Sequence, residues 1–475
     1  MTALNSANRR PAFRRPPLRA AVERGVCLAI AILLLATWHV ERFQVPSGSM
    51  AETLLGAHRC LACDDCGHEF RCGADEPVMP GKRAVCPNCG RVGQELASVD
   101  VIEGDRLLVH RQAFAFRSPR RWEMAAFRNP AAAGQIVVKR VAGLPRETVE
   151  IRHGDVYVND AIQRKGLAEL GGMAILVHDA NSQPRHVPPR WQAEPAVTRW
   201  QSHDGRYWRP PAETNAAAAR GGDEIDWLSY VHWRRRPGAS YEIEEAPITD
   251  QCGYNQTRAV IEGYPVRDLL LSCRLRTSGR GRAAFFATDG QSQFLLQWEP
   301  AARRAELRQE GALVASAGDL SSPGADEIAL ELVLVDQQFV LALDGVVKLS
   351  HRYRPSAAPF HPTARPLAIG SQGLGLELRD IKVFRDVYYT PPRKNLPGAA
   401  NLVGGGRQYQ LGADEYFVLG DNSPLSSDSR EHFDAPGIPR DLLLGKPFLV
   451  YFPSRSWGGA GGFQVPDPAR IRYIH

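Results

Sequence analysis

One apolar run stands out along the chain, GVCLAIAILLLATWHV from Gly25 to Val40, and nothing after it is as long and as free of charge. Downstream, apolar positions come in short runs. Ile136, Val137 and Val138 form a β-type run that carries on into Lys139. From Val266 onward DLLLSCRLR, IALELVLV and FVLALDGVVKL alternate or turn through Asp344-Gly345, with Gly/Pro clusters between them. Period-two patterning and a two-residue Asp-Gly turn predict strands and a hairpin, so the chain reads as mainly β, with a β-sandwich over about residues 240–390. The segments before it, PRHVPPRW and RPPAETNAAAARGGDE, read as loops, and DWLSYVHW reads as an aromatic packing segment.

The first run is somewhat shorter than the roughly 20 residues that cross a hydrocarbon core, a gap that Ala20–Val22 or local bilayer thinning makes up. Arg9, Arg10, Arg14, Arg15, Arg19 and Arg24 precede it, with Glu23 the only acid. No small-x-small exit follows Ala36, so the run is expected to stay as a transmembrane signal anchor (25–40) behind a basic cytoplasmic tail (1–24). Everything beyond Val40 then lies on the outer side of the cell membrane. Net charge is only +6 over 475 residues, and much of it sits in that tail. A distributed nucleic-acid surface is therefore excluded. The length suggests about three folded units.

Just beyond the anchor stands VPSGSMAETL, Val45 to Leu54. Ser49 is a weak nucleophile unless a base takes its proton. No G-x-S-x-G elbow is present, and His110, His153 and His432 sit in no triad setting. Lys139 is the better partner: within a strand, burial would disfavour its ammonium and bring its pKa down toward a neutral amine, the Ser/Lys variant of triad logic.

VPSGSMAETL, GDRLLVHR (Gly104–Arg111), VVKRVAGLP (Val137–Pro145) and FVLGDNSPLSSDSR (Phe417–Arg430) together resemble the ordered boxes of bacterial type I signal peptidases. The resemblance covers about a third of the chain. It implies an antiparallel β catalytic core and a membrane-anchored serine endopeptidase that removes signal peptides from exported preproteins, with no cofactor for catalysis. By position it implies Ser49 as nucleophile, Lys139 as general base, Ser47 as an oxyanion donor, Ser426 as the residue orienting the lysine amine, and Thr53 as a further neighbour of that amine. Val45 and Val138 would line shallow pockets for small substrate residues, while Asp421, Arg140, Asp428 and Arg430 read as structural ion-pair groups. Departures from the family pattern fall at Glu52, at Arg146-Glu147 and at Ser423–Leu425. The partners implied are preprotein signal peptides, membrane lipid and the secretion machinery.

The remaining chain falls into two insertions. Core segments are expected at 41–56, 99–161 and 407–475, with a zinc-ribbon-like insertion at 57–98 and a longer one at 162–406. In the first, Cys63, Cys66, Cys86 and Cys89 form C-x2-C-x19-C-x2-C, the spacing of two knuckles that close a tetrahedral structural zinc site. Disulfides are the competing chemistry outside the cytoplasm, with Cys60–Cys72 and, in the sandwich, Cys252–Cys273 as candidate pairs and His58 or His68 as spare metal ligands. PLAIGSQGLGLELRDIKVFRDVYY resembles the closing strands of concanavalin-like, laminin-G-type jelly rolls, and PPRKNLPGAANLVGGGRQ (391–408) reads as the linker back to the core. The alternative function is a membrane-tethered, lectin-like binding protein with an inactive peptidase core.

Overall fold

A computed structural model describes residues 21–30, 39–130, 132, 134–193, 198–211, 224–236, 242–256, 263–318, 320, 327–391, 407–431, 435–452, 454–457 and 463–474. Residues 21–30 are helical. No helix among the described residues is long and apolar enough to cross a membrane. The tail residues 1–20, most of the expected anchor's second half (31–38), His432 and most of the expected linker (392–406) lie outside the described residues.

The site is carried by an antiparallel eight-stranded sheet assembled from widely separated parts of the chain. Its order is Val40–Gln44, Arg106–His110, Leu443–Phe452, Met124–Arg128, Ile136–Gly143, Glu415–Leu419, Ile438–Pro439, with Arg472–Tyr473 added on Leu443–Phe452. Both faces are apolar and covered, which explains the unbroken burial of Val138 to Gly143. Val45, Leu107, Val109, Met124, Ala126, Val138 and Val450 pack together on one side. Phe114, Ala125, Phe127, Val141, Tyr416 and Val418 form a second cluster. A smaller sheet, Ala161–Ile162, Asp155–Val158, Thr148–Arg152 and Gln408–Gln410, continues the sheet region.

Two further antiparallel sheets share a large core that includes Phe285, Phe294, Trp298, Leu332, Phe339, Leu341, Ile369 and Ile381. The Asp344-Gly345 turn is as the sequence predicts: both residues have positive φ (52° and 73°) and join Gln338–Leu343 to Val346–Arg352. The sheets start well before residue 240. Ile175–Asp179, Trp191–Ala193, Gln201–His203, Arg206–Arg209 and Asp226–Tyr230 all pair into them; PRHVPPRW is irregular up to Trp191, as expected, and residues 212–223 of RPPAETNAAAARGGDE lie outside the described residues. These strands are only three to five residues long, so period-two patterning fails. Their contribution is aromatic: Trp191, Trp200, Tyr207 and Tyr230 fill the same core.

Candidate active site

The chain leaves the strand Val40–Gln44 through Val45-Pro46, passes Ser47 in extended backbone (φ −146°, ψ 163°) and makes one tight turn, Gly48–Met50. That turn puts Ser49 at a half-buried position, with Ser47 Oγ donating to Ser49 Oγ at 3.3 Å. Its backbone is held from the last sequence box. The Asn422 amide N–H donates to the Ser49 carbonyl at 3.1 Å, and Asn422 Nδ2 donates to the Gly48 carbonyl at 2.9 Å. Gly48 N–H donates to Asp75 Oδ2 at 2.7 Å.

Lys139 lies opposite Ala125 in the sheet and is 3% exposed. Its Nζ donates to Ser426 Oγ at 2.9 Å. Burial lowers the ammonium pKa from 10.5 to about 8; Asp428 pulls the other way, and Arg430 adds to the lowering. Asp428 is itself neutralised by Arg430, which grips it at 2.9 and 2.8 Å, so no carboxylate is left to ion-pair the lysine directly.

Gly420 is the hinge between the two serines. A Cβ there would collide with Ser426 Oγ on one side and with the Ser49 carbonyl oxygen on the other. Ser49 and the Lys139–Ser426 pair therefore flank one side-chain-free residue. Among the described residues no hydrogen bond joins Lys139 Nζ to Ser49 Oγ: the amine rests on Ser426 and the hydroxyl on Ser47.

Of the remaining expected residues, Arg140 makes a buried bidentate pair with Asp421 (Nε–Oδ1 2.8 Å, Nη2–Oδ2 2.6 Å). Thr53 Oγ1 donates to Asp421 Oδ2 at 2.7 Å and to the Gly172 carbonyl at 3.1 Å, so its hydroxyl is engaged by that ion pair and not by the amine. Val45 and Val138, each 4% exposed, meet in one apolar cluster with Met50, Leu54 and Met124. His110 is exposed beside His39, and His153 occupies a positive-φ turn (52°). Tyr254, Asn255 and Asp75 also contact the nucleophile turn or its support. They lie far from VPSGSMAETL in sequence, in segments with no chemical motif, so no local signal marked them.

Cys63, Cys66, Cys86 and Cys89 converge with all their sulfurs within 4.8 Å of one another, Cys63–Cys89 at 3.5 Å and Cys66–Cys86 at 3.7 Å. Two equivalent knuckles present them. Gly67 N–H donates to Cys63 O and Gly90 N–H to Cys86 O (2.9 and 2.8 Å), and both glycines have left-handed φ of 72° and 67°. Four buried thiols in paired knuckles fit a four-coordinate thiophilic ion such as zinc. Neither candidate disulfide of the competing reading is formed: Cys60, Cys72, Cys252 and Cys273 are all free. Exposed Cys60 and buried Cys72 lie on opposite faces of a hairpin, Cys252 donates to Glu52 at 3.3 Å, and Cys273 is packed in the sandwich core. His58 and His68 are not part of the sulfur cluster: His58 Nδ1 sits 2.8 Å from the Gly56 carbonyl.

A family model described as signal peptidase, peptidase S26, matches residues 92–220, a stretch that contains Lys139. Signal peptidase I of Pseudomonas aeruginosa is 36% identical over 77 residues, 14% of this chain and 26% of that protein. The comparisons support the signal peptidase family. Signal peptidase I of Pseudomonas fluorescens is likewise 36% identical over 75 residues, 14% of this chain and 25% of that protein, so the chain spans about a quarter of the length of the curated relatives it matches. Among solved structures, similarity is found to a Bacillus subtilis protein of unknown function with a galectin-like fold (TM-score 0.21, 14% identity, 34% of this chain and 83% of that one). The potassium-bound carbohydrate recognition domain of Emp46p is also similar (TM-score 0.24, 12% identity, 41% and 88%). At these scores the likeness carries no argument about function.

Proposed function

We propose that this chain is a membrane-anchored serine endopeptidase that removes N-terminal signal peptides from exported preproteins with a Ser49/Lys139 dyad. The observation that carries this reading is a dry lysine with its pKa lowered to about 8, bonded to Ser426 across Gly420 from Ser49. Ser49 exchanges Ser47 for the neutral amine and gives up its proton, and the alkoxide attacks the scissile carbonyl. The Ser49 N–H and the freed Ser47 hydroxyl stabilise the oxyanion, a class of interaction whose loss typically costs roughly 10²–10³ in rate. The ammonium then protonates the leaving amine, and the regenerated amine activates water for deacylation.

Substrate presentation also has support in the sheet. Met124–Arg128 pairs along one edge of the lysine strand from Ile136 to Arg140, whereas Glu415–Leu419 pairs on the other edge only from Arg140 to Gly143. Ile136–Lys139 therefore keeps an edge without a strand partner among the described residues, where an extended substrate adds as a strand. Small side chains at positions −1 and −3, both before the cleaved bond, settle against Val45 and Val138. Residues 1–24 stay in the cytoplasm and residues 25–40 contact lipid, which brings the core beside the secretion machinery on the outer face. Zinc on Cys63, Cys66, Cys86 and Cys89 closes the loop structurally and, with four protein ligands, leaves no position for catalysis.

The test is processing of a preprotein by the full chain in detergent. Wild type cleaves, and Ser49→Ala and Lys139→Ala do not. Equal processing by both variants removes the dyad, and a wild-type chain that processes nothing leaves the binding-protein reading.

A further inference from the structure

We propose that Tyr254 and Asn255, carried by the long insertion, are positioning residues for the nucleophile turn. The inference rests on the Ser49/Lys139 reading and deepens it: the sheet that supplies the lysine does not by itself fix the serine.

The Tyr254 side chain is fully buried, and its ring occupies the space that Cβ atoms on Gly48 and Gly73 would need. It is thus a wedge between the nucleophile turn and the strand Glu69–Gly73 of the cysteine loop. Ala51 and Leu55, which flank the turn, form one apolar cluster with it. Its hydroxyl donates to the Ala57 carbonyl at 3.0 Å, beyond the turn, while the ring packs against Gly48 and Gly73.

Asn255 acts through Asn422. The two side-chain amides pair reciprocally, each Nδ2 on the other's Oδ1 at 2.8 Å. An asparagine amide offers two N–H donors and one carbonyl oxygen. The pair uses one donor and the oxygen of Asn422, which fixes the amide's orientation and leaves its second donor on the Gly48 carbonyl at 2.9 Å. Without Asn255 that amide is free to turn and to release the turn.

The segment Cys252–Gln256 is itself held by the cysteine loop. Cys72 Sγ donates to the Gly253 carbonyl at 3.6 Å, and Gln256 exchanges two hydrogen bonds with the Val85 backbone, at 2.5 and 2.6 Å. The long insertion and the cysteine loop therefore grip the turn jointly. No hydrogen bond of the segment reaches Lys139, so geometry at the serine and proton affinity at the lysine are separable.

The experiment compares the full-length chain carrying Asn255→Ala, Tyr254→Ala, Tyr254→Phe or Gln256→Ala. Cleavage of a signal-peptide substrate is read as kcat, KM and pH profile, and amide hydrogen exchange is read at Ala51 and Leu54, which bond to the Gly48 and Met50 carbonyls. Asn255→Ala is expected to lower kcat by about 10–10²-fold, as small misplacements of a reacting group do, with KM within about twofold and the acid limb unmoved. Exchange at Ala51 and Leu54 rises about tenfold. Tyr254→Phe, which keeps the ring, stays near wild type, and Gln256→Ala, which removes one hold on the segment, shifts kcat and exchange in the same direction as Asn255→Ala but less. Asn255→Ala with wild-type kcat and wild-type exchange overturns the proposal, and this arm decides it even where Tyr254→Ala fails to fold. A wild-type chain that cleaves nothing defeats the peptidase reading, while the exchange arm still decides whether Asn255 holds the turn.

Discussion

Two lysines of this protein are equally dry and sit in opposite surroundings. Lys139, in the sheet, is 3% exposed, and Lys165, at the seam between sheet and sandwich, is 2% exposed. Lys165 Nζ meets Asp336 at 2.7 and 2.9 Å and Asp386 at 2.8 Å, lies 4.7 Å from the centroid of the Trp122 ring, and its backbone N–H also donates to Asp336. Burial alone would lower its pKa, but the two carboxylates override that and raise it well above 10.5. Lys139 has a serine hydroxyl in place of carboxylates, and its nearest acid, Asp428, is already taken by Arg430. Burial therefore does not by itself leave a lysine with a lowered pKa; burial with the neighbouring acids engaged elsewhere does.

The sharpest way to break this contrast is to replace each lysine with methionine. Lys139→Met should lose at least about 10³-fold in processing, the scale at which general bases and nucleophiles act together. It should nevertheless fold as well as wild type or better. The folded pKa lies below the unfolded value, so the folded chain binds fewer protons between about pH 8 and 10.5, and the buried ammonium costs stability in full below about pH 8. Removing it returns up to about 3 kcal/mol at pH 7, and the gain shrinks as pH approaches 10.5. Urea unfolding of both proteins across that range checks the sign. Lys165→Met should do the reverse, losing about 3–5 kcal/mol of stability because Asp336 and Asp386 stay buried without their cation, while processing per folded molecule holds within about threefold.

The contrast also shows what a sequence can carry. Ser49 and Lys139 could be paired from the chemistry of a serine and a strand lysine, whereas Ser47 and Ser426 came only from the resemblance of their boxes to those of type I signal peptidases. Lys165 sits in QRKGLAE, a stretch with no pattern, and Asp336 and Asp386 reach it only through the sandwich topology. Tyr254 and Asn255 were silent for the same reason. The later strands of the sandwich alternate cleanly and were legible. The earlier ones, such as Trp191–Ala193 and Arg206–Arg209, are three or four residues long and bury tryptophan or tyrosine between polar residues, so no period could show them.

A smaller effect concerns pH. With the free amine as base, kcat/KM should rise as pH increases through about 8 and fall on the acid side. Asp428 is the largest influence raising that pKa, and Arg430 the largest charge lowering it. Asp428→Asn removes the first and leaves the second unneutralised, so the acid limb should move to lower pH in a pH-rate profile. Movement to higher pH would mean that the limb belongs to another group.

The smallest expected effect separates the two readings of Thr53. Resemblance alone makes it a neighbour of the amine, whereas its hydroxyl in the structure donates to Asp421 and to the Gly172 carbonyl. Thr53→Val keeps the branched shape and removes only those bonds. Asp421 keeps both contacts with Arg140, so no buried charge is orphaned, and the loss should be about 1 kcal/mol, typical of a single hydrogen bond. Because Thr53 is tied to the Arg140–Asp421 pair, the acid limb should stay where wild type has it. A stability loss with an unmoved limb makes Thr53 a brace between the nucleophile segment and the helix Leu167–Met173; a shifted limb makes it a partner of Lys139 after all.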